Sequence, residues 1–97
     1  MDRPSVKVYV RKVTEDARTV SFQPPREIPQ TEWLNRGFAI DGNSVITTVT
    51  EKTYVREGKI RPRVSKDELQ SLGEALMDVE ATLVEWLGKA GYDVEFA

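Results

Sequence analysis

The chain has 97 residues, a formal net charge of −2 and neither cysteine nor histidine. The missing cysteines exclude disulfides, thiolate metal sites and cysteine nucleophiles, and the missing histidines remove the commonest general base and transition-metal ligand. We therefore expect a single domain over residues 1 to 97 that is not an enzyme and has no catalytic residues, metal or cofactor. The charged N-terminal segment is unlike a signal peptide and no run is long enough for a membrane span, so we expect a cytoplasmic protein with no membrane partner.

The charges are unevenly distributed along the chain. Residues 1 to 64 contain 12 Lys or Arg and 8 Asp or Glu, whereas residues 65 to 97 contain 2 and 8. This asymmetry favours a basic working surface backed by an acidic helix. The alternative is that the two layers simply attract each other across their exposed rims.

Two alternating segments open the chain and predict a β-hairpin. In residues 5 to 13, Val6, Val8 and Val10 share one face, while Lys7, Tyr9 and Arg11 share the other. Residues 18 to 23 alternate in the same way. Prolines then predict an extended connector over residues 24 to 30.

A single helical turn is predicted over residues 31 to 36, with Gly37 as its stop. This turn would place Trp33 and Leu34 as a lid on one end of the core. The alternative is that Trp33 faces a binding partner.

Turn residues predict two further hairpins. Asp41-Gly42-Asn43 supplies the first turn, and a long strand then continues to Arg56, with Glu51 marking a bulge or bend. Glu57-Gly58 supplies the second turn and leads to a strand that Pro62 makes an edge. One face of this last hairpin is composed of Lys52, Tyr54, Arg56, Lys59, Arg61 and Arg63.

A long amphipathic helix is predicted over about residues 65 to 90. Ser65 and Glu68 form the pattern of a capping box, flanked by Val64 and Leu69 as a hydrophobic staple, and Gly91 is the expected stop. The predicted buried seam is Leu69, Leu72, Leu76, Val79, Leu83, Trp86 and Ala90.

The predicted fold class follows from these elements. Residues 92 to 96 alternate again and predict a short terminal strand, paired within its own subunit or with a neighbour's. We therefore predict an α+β fold, in which an antiparallel sheet of five to six strands packs on the long C-terminal helix.

The solvent face of this predicted sheet combines cations with aromatic rings. Cations neutralise phosphates and flat rings stack on bases, so this face predicts single-stranded DNA or RNA binding. The alternative is that these are ordinary solvent-face strand residues. The predicted nucleic-acid-binding residues are Lys7, Tyr9, Arg11, Lys52, Tyr54, Arg56, Lys59, Arg61 and Arg63.

A resemblance to known families points in the same direction. From Gly42 to Leu87, the order of a turn glycine, Val45, Val49, Tyr54, Gly58, Pro62, Val64 and an amphipathic helix resembles the single-stranded-DNA-binding fold of the positive cofactor four and YdbC families. Those proteins work as dimers, and the resemblance implies that Lys52 to Arg63 form their basic β-ribbon. Ser44 to Gly88 is also similar to the tail half of MazF-like toxin ribonucleases, whose front half has no counterpart here.

A protein-interaction module, such as an adaptor or a small phage-type inhibitor, is the alternative function. It would use Trp33, the terminal strand and the acidic back of the helix at Glu74, Asp78 and Glu85. Acidic surfaces of this kind can also imitate nucleic acid. Because the helix seam and the terminal strand offer pairing surface, we expect a homodimer.

Overall fold

The computed structural model describes residues 3 to 62 and 70 to 97 and confirms the predicted α+β fold class. A five-stranded sheet packs on the C-terminal helix, and a separate two-stranded ribbon packs beside it. In chain order the elements are β1 (Ser5–Thr14), β2 (Ala17–Phe22), α1 (Gln30–Asn35), β3 (Ala39–Asp41), β4 (Ser44–Thr50), β5 (Thr53–Arg56), β6 (Lys59–Pro62), α2 (Leu72–Lys89) and β7 (Asp93–Phe96).

The five-stranded sheet has the order β3-β4-β2-β1-β7. Its first three pairings are antiparallel, as predicted, but β7 runs parallel to β1, with Ser5 opposite Asp93 and Val8 opposite Phe96. The sheet is therefore mixed, because α2 returns the chain to the end of the sheet at which β1 begins. The predicted terminal strand is confirmed, and its partner is β1 of the same chain.

The predicted long strand from residue 44 to residue 56 is broken in the structure. It turns at Glu51 and Lys52, where the Thr50 N–H donates to Thr53 Oγ1 at 3.0 Å. The bend expected at Glu51 is thus confirmed, but its consequence is larger than predicted, because β5 and β6 form a sheet of their own. The ribbon therefore does not extend the main sheet.

The turn of the ribbon agrees with the sequence. Arg56 lies opposite Lys59, and Tyr54 lies opposite Arg61, which is the predicted register. Glu57 and Gly58 both have positive φ, 55° and 73°, as a two-residue hairpin turn of the primed type requires.

A close backbone contact holds the ribbon against the end of α1. The Ile60 N–H donates to the Arg36 carbonyl at 2.8 Å. Gly37 has φ +93°, and a Cβ at this position would lie 2.1 Å from the Ile60 carbonyl oxygen. Only glycine fits both the backbone conformation and the space, so Gly37 is the stop that the sequence predicted and also the docking point of the ribbon.

Helix α2 begins later than predicted. Gln70 and Ser71 are not helical, and Ser71 is the N-cap, with ψ 158° and its Oγ accepting from the Glu74 N–H at 3.1 Å. The predicted start of a continuous helix at residue 65 is therefore wrong. The proposed capping box of Ser65 and Glu68, like the staple of Val64 and Leu69, lies outside the described residues.

The predicted stop of α2 is confirmed. Gly91 has φ +97°, the Tyr92 N–H donates to the Leu87 carbonyl at 2.9 Å, and the Gly91 N–H donates to the Gly88 carbonyl at 3.1 Å. These two bonds form a Schellman motif, which satisfies carbonyls at the helix end.

The buried face of α2 is rotated relative to the predicted seam. Val79 and Leu83 are fully buried as expected, whereas Leu72, Leu76 and Trp86 are half-buried and Ala90 is exposed. Leu69 lies outside the described residues. The residues that α2 buries are Ala75, Val79, Leu83 and Leu87, and they join a core that includes Val6, Val8, Val20, Val45 and Val49 of the sheet.

An aromatic cluster closes one end of this core. Trp33 is 2% exposed, and its ring centroid lies 5.0 Å from that of Phe22 and 5.7 Å from that of Phe38. Trp86 of α2 packs against the same rings, at 6.4 Å from Trp33. Trp33 is therefore the predicted lid, and the alternative that it faces a partner is corrected, because its ring is enclosed by other rings.

Candidate nucleic-acid interface

The outer face of β1 displays two cations and a tyrosine at alternate positions. Because Val6 and Val8 point into the core, Lys7, Tyr9 and Arg11 are exposed on the other side of the sheet. Tyr9 is 38% exposed, and the Arg11 guanidinium carbon lies 5.1 Å from the centroid of its ring. The structure thus brings together the three predicted residues of β1.

The neighbours of this strip include short polar side chains on β2, together with Ile46 of β4 in the row of Tyr9 and Glu95 of β7 opposite Lys7. The sheet register places Tyr9 opposite Ser21 and Arg11 opposite Thr19, with Thr48 of β4 next in the same row. Helix α2 packs on the opposite side of the sheet. Tyr9 is therefore the largest side chain of its row on a face that α2 leaves open.

A cleft of about 700 Å³ adjoins this face at the N-terminal end of β1, where the strand meets the proline connector. Lys7 and Tyr9 form one wall, and Arg26 of the connector forms another. Serines and a glutamine supply further polar groups. The remaining polar lining residues are Ser5, Ser21, Gln23, Glu27, Ser44 and Tyr92.

A hydrogen bond ties the connector to the segment after α2 beside this cleft. The Tyr92 O–H donates to Glu27 Oε2 at 2.6 Å. This bond lowers the pKa of the Glu27 carboxyl, and it raises the pKa of the Tyr92 phenol, to which burial also contributes. The bond therefore stabilises the fold above the ordinary carboxyl pKa of 4.5 and below the ordinary phenol pKa of 10.0. It is lost when the pH falls through the lowered value or rises through the raised one.

Removing the carboxylate should return Tyr92 to ordinary behaviour. In the wild type we expect Tyr92 to titrate above 10.0, and in Glu27→Ala to titrate closer to that value. The measurement is a pH titration of the tyrosine Cζ resonances by NMR. Glu51→Ala, which changes a carboxylate at the β4–β5 turn, should leave the Tyr92 midpoint unchanged. Equal midpoints in the wild type and Glu27→Ala would show that the bond does not form in solution.

The ribbon carries the second group of predicted residues. Arg56, Lys59 and Arg61 are exposed, Tyr54 is half-buried, and Lys52 is exposed in the turn before β5. Arg63 lies outside the described residues. Since the ribbon is a separate sheet, the prediction that all nine residues share one sheet face is wrong. The eight described residues belong to two separate basic surfaces, one on β1 and one on the ribbon and the turn before it.

These exposed cations are free of salt bridges within the described part of the chain. Within residues 3 to 62 and 70 to 97, every ion pair is formed by a basic residue outside these two surfaces. Neither the cations of the outer face of β1 nor the described cations of the ribbon take part. The ion pairs are Arg3 with Asp93, Lys12 with Glu15, Arg36 with Glu32 and Lys89 with Glu85. No described carboxylate therefore lies within salt-bridge distance of the described cations of either surface.

The outward side of α2 carries the acidic residues of the alternative function. Glu74, Asp78 and Glu85 are all exposed there. Asp78 accepts from the Gln70 side chain at 3.0 Å, and Glu85 pairs with Lys89. Trp33 does not join them, because it is buried on the core side.

Sequence reasoning missed the cleft and the contribution of Arg26. The connector was predicted only as a linking segment, although a basic residue directly after Pro24-Pro25 is held by a stiff backbone. A basic residue on such a stiff segment was the one sequence feature that could have pointed to Arg26. Its position beside β1 depends on how the connector packs, which no local pattern specifies.

Other classes of site are not supported by the described residues. Within residues 3 to 62 and 70 to 97, no group of His, Cys, Asp or Glu is placed to hold a metal ion, and no helix is long and apolar enough to cross a bilayer. Comparisons with family models, curated proteins and solved structures gave no match to this chain. The resemblance to the positive cofactor four and YdbC families is neither supported nor opposed by these comparisons and stays a prediction.

Proposed function

We propose that this protein binds single-stranded nucleic acid on the outer face of its five-stranded sheet, without catalysing a reaction. The observation that carries the proposal is the arrangement of Lys7, Tyr9 and Arg11 on β1, exposed and without salt bridges among the described residues. Single-strand binders combine such cations with aromatic side chains on which bases stack.

The spacing along β1 suits this role. Residues two apart in a strand are roughly 6.8 Å apart, so a cation lies on each side of the Tyr9 ring. A base stacked on that ring would have Lys7 on one side and Arg11 on the other, each within reach of a flanking phosphate. Short neighbours such as Ser21 and Thr19 leave room for an unpaired base beside the ring.

The ribbon offers a second basic surface for a longer strand. Its exposed Arg56, Lys59 and Arg61 lie on a different sheet from β1, so one flat strand cannot contact both groups across a single sheet. Either the bound strand bends around an edge of the protein, or one group dominates. Substitutions on each surface separate these two cases.

Binding should weaken steeply with salt, and each cation that contacts a phosphate should contribute to the slope. We expect Lys7→Ala or Arg11→Ala to reduce the salt slope by about 0.7, the value for one phosphate contact on a single strand. Lys59→Ala and Arg61→Ala should do the same only if the ribbon takes part. The measurement is fluorescence anisotropy with labelled single-stranded DNA, single-stranded RNA and duplex over a salt series.

Lys89→Ala is the matched control, because Lys89 lies on α2 and pairs with Glu85. It should leave both affinity and slope unchanged. If the wild type binds none of the probes even at low salt, where surface electrostatics are strongest, the cations are ordinary surface residues and the proposal is wrong.

A protein-interaction module is the second candidate, favoured by one specific observation. Met77 is 67% exposed and Val84 is 47% exposed on α2, beside the acidic Asp78 and Glu85. Exposed apolar side chains with charged borders are a common feature of protein contacts. The homodimer expected from the helix seam and the terminal strand also stays a prediction, which sedimentation at high protein concentration tests.

A further inference from the structure

We infer that the cleft between β1 and the proline connector holds a single nucleotide, with its phosphate between Lys7 and Arg26 and its base against Tyr9. The inference rests on the proposed function and adds to it a defined pocket, a ligand class and a residue, Arg26, that the sequence did not single out. The cleft volume of about 700 Å³ lies within the range of small-molecule sites.

The charges at the cleft favour an anion. Lys7 and Arg26 both line it, and within residues 3 to 62 and 70 to 97 neither forms a salt bridge. Glu95 lies opposite Lys7 in the sheet register, but the two side chains do not form a salt bridge. The carboxylate in the lining, Glu27, already accepts from the Tyr92 O–H. The lining thus holds two cations and one carboxylate, a net positive charge, although the charge of Arg26 also acts on Glu27 and helps to lower its pKa.

The remaining lining suits a base and a sugar. Tyr9 offers an aromatic ring, and stacking on such a ring stabilises any of the bases. Ser21 and Ser44 supply hydroxyls, and Gln23 supplies an amide, which can donate to and accept from a base edge. Polar groups of this kind fix the orientation of a ligand in a site that stacking alone would leave unselective.

The connector wall is held in place before any ligand arrives. Pro24 and Pro25 restrict the backbone on one side of Arg26, and the Ile28 N–H donates to the Pro25 carbonyl at 3.2 Å on the other. The bond from Tyr92 to Glu27 anchors the same wall to the end of α2. A wall with few conformations loses little entropy when it binds, which favours affinity.

The test is a titration of the full chain with three probes: adenosine 5′-monophosphate, adenosine and inorganic phosphate. Backbone amide NMR shifts report the binding and its location. We expect the mononucleotide to bind more tightly than either fragment, with the largest shifts at β1 and the connector. Equal weak shifts with all three probes, scattered over the surface, would overturn the inference.

Substitutions then locate the site. Arg26→Ala and Lys7→Ala should each weaken mononucleotide binding about tenfold, the loss expected for a hydrogen bond to a charged group. Lys12→Ala, on the same strand but paired with Glu15, is the matched control and should have no effect. An unchanged affinity in Arg26→Ala would also overturn the inference.

The two proposals fail in different ways. If oligonucleotides bind and depend on Lys7 and Arg11 but the mononucleotide does not bind, the cleft is wrong and the proposed function stands. If the mononucleotide binds in the cleft but oligonucleotides bind no more tightly, the cleft is a site for a free nucleotide and the proposed function is wrong.

Discussion

Leu83→Ala should destabilise the protein by about 2 to 5 kcal/mol, the range found for large-to-small substitutions in a packed core. Leu83 is 0% exposed and lies at the middle of the buried face of α2, between Val79 and Leu87. Alanine would remove its contacts with the sheet and leave a cavity there. Equilibrium denaturant unfolding measures the change in the free energy of unfolding.

Two variants on the same helix test the rotation of its buried face. Leu76→Ala should cost less than Leu83→Ala, because Leu76 is only half-buried. Met77→Ala should change the stability by less than about 0.5 kcal/mol, since Met77 is 67% exposed. Leu87→Ala, which removes a fully buried side chain outside the predicted seam, should cost more than Leu76→Ala, and the opposite order would mean that α2 presents the predicted seam to the sheet after all.

The rotation of α2 could not be predicted from the periodicity of its apolar residues. Met77 and Val84 widen the apolar stripe of this helix, so the periodicity identifies an amphipathic helix without fixing the centre of its buried face. The aromatic cluster at the end of the core determines which side of α2 faces the sheet. It holds Trp86 at the flank of α2, beside Trp33 and Phe38, and the residues one turn apart at Val79 and Leu83 become central.

Helix α2 begins at a Ser-x-x-Glu pattern six residues after the one singled out from the sequence. Ser71 is its N-cap and accepts from the Glu74 N–H, whereas Ser65 and Glu68 lie outside the described residues. Local sequence thus predicted the kind of helix start but not its position. The stop at Gly91 was predicted correctly, although Gly88 lies only three residues before it.

In the ribbon, too, local residues determine the turn and the strand pairing, whereas a distant contact determines where the ribbon lies. Glu57-Gly58 sets the turn and the pairing of Arg56 with Lys59, and both were predictable from the turn residues alone. The separation of the ribbon from the main sheet depends on its docking at Gly37, which lies far away in sequence. For that reason the predicted cross-strand pairs of Arg56 with Lys59 and of Tyr54 with Arg61 are confirmed, whereas the joining of this ribbon to the face of β1 is wrong.

The candidate site was also predictable only where local sequence determines it. The exposure of Lys7, Tyr9 and Arg11 follows from strand alternation and was predictable. The meeting of Arg26 with Lys7 at one cleft was not, because it depends on the path of an irregular segment.

Tyr9→Ala should weaken single-strand binding by about 1 to 3 kcal/mol while leaving the salt slope nearly unchanged. The loss corresponds to a dissociation constant roughly 5 to 150 times higher. The reason is that stacking of a base on the Tyr9 ring releases no counterions, unlike the contacts of Lys7 and Arg11 with phosphates. The measurement is the same salt series by fluorescence anisotropy, with the slope and the affinity fitted separately.

Tyr9→Phe is the matched control, because it keeps the ring and removes only the hydroxyl, and it should retain most of the affinity. Tyr54→Ala gives the comparison on the ribbon. If Tyr54→Ala weakens binding more than Tyr9→Ala does, the ribbon rather than β1 carries the stacking. If Tyr9→Ala changes the slope without changing the affinity at low salt, the ring does not stack on a base, and its role is to position Arg11, whose guanidinium carbon lies 5.1 Å from the ring centroid.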